Sequence, residues 1–130
     1  MRVVCEANVG TALPPRYFER GFTQSSAFDL TIGTEYIVYG ISFWLGFPLY
    51  LIVGEDRRPH WYPAELFQVS RTELPGCWYF AFFGSKDDLN AVCGYDELVN
   101  KWDHYDQLSN LDQHALEVFE VRRQEIDSIS

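Results

Sequence analysis

The chain is 130 residues long, 47% hydrophobic and 17% aromatic, a composition that argues against disorder and supplies one core in a single domain spanning residues 1–130. A formal net charge of -9 at pH 7 argues against nucleic acid or an anionic membrane as partner, since both are gripped by Lys and Arg, and favours a basic protein. Most of that charge is C-terminal: residues 1–85 hold 8 acids and 6 bases (net -2), and residues 86–130 hold 11 acids and 4 bases (net -7).

The N-terminal MRVVCEANVG lacks the apolar stretch of a secretory leader and reads as a short strand. GTALPPRYFERGFTQSSAF is rich in turn formers without a clear period, and reads as a long loop over the surface. EYIVYGISFW, dense in β-branched and aromatic residues, reads as one strand, with LGF turning it into PLYLIV as a hairpin. The polar run GEDRRP then leads into HWYPAELFQV. There Pro63 ends an extended segment at Trp61 and Tyr62, PAELF makes one turn, and Gln68 to Ser70 resumes as strand. After RTELPG, CWYFAFF is the strongest strand signal. Trp78, Phe80 and Phe82 alternate with Tyr79, Ala81 and Phe83, so both faces are apolar and cover is expected on both sides.

From Lys86 onward helix signals replace strand signals. In the last helix Asn110 suits an N-cap with Gln113 three residues on, and Leu111, Ala115, Val118, Phe119 and Ile126 share a stripe. Arg122 and Arg123 near its end suit the helix dipole. The fold class is therefore α+β, with residues 1–85 mainly β and 86–130 mainly α. The architecture expected is a bent antiparallel sheet of about five strands, closing in its tightest form as an SH3-like barrel, with C-terminal helices packed on it. Cys5, Cys77 and Cys93 have no metal-ligand spacing and read as reduced, buried thiols of a cytoplasmic protein. No apolar run is long enough to cross a bilayer.

His60 and Glu65 stand either side of Pro63 with no nucleophile near them in sequence, so they read as architecture rather than an acid–base pair. KWDHYDQL is the more informative pattern. His104 between Asp103 and Asp106 has the makings of a metal half-site or an oriented base, but neither His60 nor His114 stands at a ligand spacing from it, and no metal or cofactor is expected. The alternative is that Trp102 and Tyr105 present aromatic anchors inside an acidic rim of Asp103 and Asp106, as protein-binding hot spots do; the plain reading turns both rings inward. The acid pairs Asp87-Asp88 and Asp96-Glu97 read as solvated surface, and Asp96 and Glu97 also extend the candidate binding rim. G-x-S-x-G, P-loop, G-x-G-x-x-G and H-E-x-x-H patterns are all missing, so an enzyme is not expected.

FDLTIGTEYIVYGI, PLYLIV, WYPAELFQV, LPGCWYFAFF, GYDELVN, HYDQL and the ALEVF helix together resemble the small acidic immunity proteins of bacterial contact-dependent growth inhibition and related polymorphic toxin systems, over residues 28–126. Those proteins share no catalytic motif, so the resemblance implies a role and no site residues. The role is an antitoxin that binds and neutralises a cognate toxin domain, a basic nuclease, by covering its active or substrate-binding face. An SH3-like interaction adaptor and a small-ligand enzyme are the alternatives from other classes.

Overall fold

In the computed structural model, which describes residues 1–130 apart from the side chain of Arg20, the described residues form eight strands and three α-helices. The strands are β1 (Arg2–Cys5), β2 (Glu35–Ile37), β3 (Gly40–Trp44), β4 (Phe47–Val53), β5 (Pro59–Pro63), β6 (Phe67–Arg71), β7 (Tyr79–Phe82) and β8 (Leu89–Gly94). The helices are α1 (Asp96–Asn100), α2 (His104–Ser109) and α3 (Gln113–Ile129). All strand pairs are antiparallel, in a three-stranded sheet ordered β2-β1-β6 and a five-stranded sheet ordered β5-β4-β3-β8-β7. The α+β class holds, with two sheets where a single one of about five strands was expected.

EYIVYGISFW is divided between those sheets. Val38 and Tyr39 leave the strand, and Val38 N–H donates to Met1 in one sheet while Tyr39 N–H donates to Leu51 in the other. Leu45 and Gly46 close the β3–β4 hairpin, with φ of 51° and 82°. Two positive values in a two-residue loop match the right-handed twist of the flanking strands.

The five-stranded sheet is covered on both faces. Leu51 and Val92 pack with Tyr39, Tyr95, Leu98, Phe119 and Ile126 on the helical side. Ile52 and Tyr62 pack with Val3, Tyr17, Leu30, Tyr36 and Leu66 on the other. The long loop therefore does more than drape the surface: it contributes Leu13 and Tyr17 to that second core, Leu30 just beyond it joins them, and Tyr17 stacks on Phe47 at 4.3 Å.

Three further expectations change. LNAVCG, inside the segment read as helical, is β8 and sits between β3 and β7. Its Gly94 faces Gly40 across the ladder, and a Cβ at either would lie 2.7 Å from Leu98 Cδ2, so small residues are what let α1 approach the sheet. CWYFAFF contains β7, but β7 ends the sheet with Phe80 and Phe82 65% and 68% exposed, so it lacks the cover expected on both sides. The cap of α3 is Asp112, which accepts from Ala115 N–H, rather than Asn110.

Candidate functional site

The stretch HWYPAELFQV folds as architecture. Tyr62 and Leu66 are buried, and Trp61 and Phe67 pack against the two cores. His60 Nε2 lies 2.7 Å from Asp56, and Glu65 pairs with Arg16 at 3.4 Å, so the two groups face different partners.

The KWDHYD segment is split by where α2 begins. Trp102 lies in the turn before it and is 91% exposed, the most exposed large hydrophobic residue described. Asp103 precedes the helix, half-buried, and accepts from Gln107 at 3.4 Å. His104 is buried and turned onto the Tyr95 hydroxyl at 2.7 Å, and burial lowers its pKa below the ordinary 6.5. Among the described residues no group of three or more His, Cys, Asp or Glu side chains is placed to hold a metal ion. Tyr105 is not a surface anchor: its ring stacks on Trp61 at 5.1 Å, its hydroxyl meets Ser42 at 3.2 Å, and burial pushes its pKa up to about 12. Asp106 is exposed, and among the described residues its carboxylate has no side-chain partner.

Asp96 and Glu97 open α1 and serve elsewhere. Glu97 takes a bidentate clamp from Arg122, at 2.7 and 2.9 Å, and that hydrogen bonding holds its carboxyl below the usual range. Arg122 and Arg123 are thus spent on Glu97, Glu125, Glu120 and Asp127 rather than on the end of the helix alone. Asp96 is exposed and accepts from Asn100, beside Cys77 and Tyr79 rather than beside α2. Trp102 and Asp106 are thus open to solvent and Asp103 partly so, whereas Glu97 is clamped by Arg122 and Tyr105 is turned onto Trp61. Comparison with protein-family models, with characterised proteins and with solved structures finds no match for this chain.

One feature of this surface was not legible in the sequence. Between α2 and the β4–β5 edge lies an open cleft of about 400 Å³, lined by Trp44, Leu49, His60, Trp61, Tyr105 and Asp106. An aromatic floor under a carboxylate without a partner attracts a cationic side chain through both the ring quadrupole and the ion pair. A Trp at strand position 61 gave no hint of facing α2, because that contact depends on how the chain returns 44 residues later. In the larger opening, about 670 Å³ between the two sheets and α3, two tyrosines are held by carboxylates: Tyr36 donates to Glu55 and Tyr39 to Asp127, each at 2.6 Å. All three cysteines are thiols; Cys5 is buried, Cys93 half-buried and Cys77 exposed, so Cys77 departs from the buried role expected of it. Among the described residues no helix is long and apolar enough to cross a membrane.

Proposed function

We propose that this chain is an immunity protein that binds and neutralises a basic toxin domain, of the nuclease kind, in the cytoplasm of the cell it protects, and that it needs neither catalysis nor a cofactor to do so. The observation that carries the reading is Trp102, 91% exposed in the turn that leads through Asp103 into α2. An exposed Trp near carboxylates suits an interface, where aromatic anchors supply affinity and rim charges supply rate. The net -7 of residues 86–130 and the resemblance to immunity proteins support the same role. The cleft beside Asp106 gives a Lys or Arg of the toxin a place to insert.

The test is binding to a purified basic nuclease toxin domain, sought first in the genes beside the one for this chain. Trp102→Ala raises the dissociation rate, costing on the order of 2 kcal/mol or about thirtyfold in Kd. Asp106→Asn mainly lowers the association rate and flattens its dependence on salt. Tyr105→Ala should lower the melting temperature as well, whereas the other two variants should not. Binding indifferent to salt, to Trp102→Ala and to Asp106→Asn, with the fold intact, defeats this site.

A further inference from the structure

The aromatic rim of the five-stranded sheet is unused by this reading. Tyr79, Phe80, Phe82 and Phe83 are 52%, 65%, 68% and 46% exposed on and beside β7, whose outer edge pairs with no strand. From Leu74 to Ser85 the sequence holds no charged residue, so the edge has none of the Lys, Glu or Pro that ordinarily protect such strands. A basic partner would find no complementary charge along it, and a net charge of -9 keeps the chain from an anionic bilayer.

We propose that β7 pairs antiparallel with β7 of a second copy, joining two five-stranded sheets into one continuous sheet about a two-fold axis through Ala81.

The register follows from the ladder. Phe83 N–H donates to Asn90 on the β8 side at 2.7 Å. Inward and outward backbone groups alternate along an antiparallel strand, so Tyr79, Ala81 and Phe83 bond β8, while the N–H and C=O of Phe80 and Phe82 point to the open edge. A two-fold perpendicular to the sheet keeps each face on its own side, so residues of like parity must meet. Centring on Ala81 sets Phe80 opposite the second copy's Phe82, and Tyr79 opposite its Phe83. Each Phe80–Phe82 pair is then a hydrogen-bonded pair, and the outward backbone groups of both copies are satisfied. The contact is isologous and closes at two. At roughly 200 Å² per aromatic side chain the four rings expose about 450 Å² per copy, so about 900 Å² over two copies is the most their burial can supply, and with the backbone edge added the contact reaches at most the ~1,000 Å² of a specific interface.

The experiment is sedimentation equilibrium of the purified full chain over a concentration series, at low and high salt, with circular dichroism to check the fold. Wild type is expected to reach twice the monomer mass, and to associate more tightly as salt rises, because two acidic copies repel. That salt response is opposite in sign to the one expected for a basic toxin, so failure here and failure of the immunity reading are distinguishable. Phe80→Lys with Phe82→Lys places like charges opposite each other and should abolish the dimer; Phe80→Lys with Phe82→Glu places opposite charges there and should associate more tightly than the double-lysine variant. Phe82→Pro removes an outward N–H and no bond within the chain, so it should give a folded monomer. A monomer at every concentration, an open-ended aggregate insensitive to Phe82→Pro, or amide protection of Phe80 and Phe82 that appears only on adding toxin would each overturn the proposal.

Discussion

Replacing Tyr95 by Phe should destabilise the protein without reshaping it. The Tyr95 hydroxyl lies 2.7 Å from His104 Nε2, and the two residues are only 2% and 4% exposed. Burial is the main reason that the His104 ring resists protonation; Glu97 and Asp103 oppose it more weakly, and His114 and Lys101 reinforce it. In either neutral tautomer Nε2 and the phenol are each other's hydrogen-bond partner, the nitrogen accepting or donating. Tyr95→Phe leaves that nitrogen buried without a partner, at a cost of about 1–3 kcal/mol. With an unfolding entropy of about 2.1 cal/mol/K per residue over 130 residues, this is a fall in Tm of roughly 4–11 °C. Adding His104→Leu removes the stranded nitrogen, so the double variant should recover part of the loss. The pH dependence has a definite sign. Because the folded-state pKa lies below the unfolded value of 6.5, the unfolded chain binds more protons in the window beneath 6.5, and stability falls as pH drops into it. Melts followed by circular dichroism at about pH 7.5 and about pH 5.5 test both statements. A Tyr95→Phe melt that overlays wild type, or a His104→Leu protein as acid-sensitive as wild type, would refute the reasoning.

Gly54→Ala should cost about 1–3 kcal/mol or more in urea titrations, because its Cβ would lie 2.5 Å from the Asp29 carbonyl, whereas Gly76→Ala, with nothing within 4 Å, should be close to neutral. Phe119→Ala removes the ring that meets Tyr39 at 5.4 Å and Tyr95 at 6.4 Å, and should cost about 3–5 kcal/mol by the same measurement. In native protein a thiol reagent should titrate Cys77 promptly and Cys5 only on denaturation, since burial both hides the Cys5 thiol and raises its pKa; equal rates would contradict the burial described.

What the sequence revealed depended on whether a signal was local. PLYLIV and the turn through Leu45 and Gly46 are set by neighbouring residues, and β4 with its hairpin stands where the pattern put it. The break at Pro63 and the short turn Ala64–Leu66 were legible for the same reason. β8 was not, because LNAVCG mixes Asn90, Ala91 and Gly94, all poor strand formers, with Val92, and the Gly94 that serves the close approach of Leu98 weakens the propensity signal further. The exposure of β7 was missed because two apolar faces imply cover, and only the strand order shows that β7 ends the sheet. At the candidate site, the acids and Trp102 were legible as types. That the two rings would part, Tyr105 inward as the plain reading had it and Trp102 outward, was not, since it follows from α2 starting at His104 and from Trp61 waiting across the cleft.

Leu51 and Ile52 are neighbours on β4, yet their side chains belong to opposite cores. Opening β4 would empty both at once, so the two cores should melt in one transition and the slowest amides should exchange together. The strands meet across long stretches of chain, Arg2 with Ile37 and Arg71, Ile41 with Cys93, which makes for slow folding. During synthesis β3, β4 and β5 emerge able to pair, whereas β7 has no neighbour until β8 follows it. Once β7 has left the ribosome and before β8 follows it, the nascent chain holds out an uncharged aromatic strand with nothing to join, the kind of surface that chaperones cover.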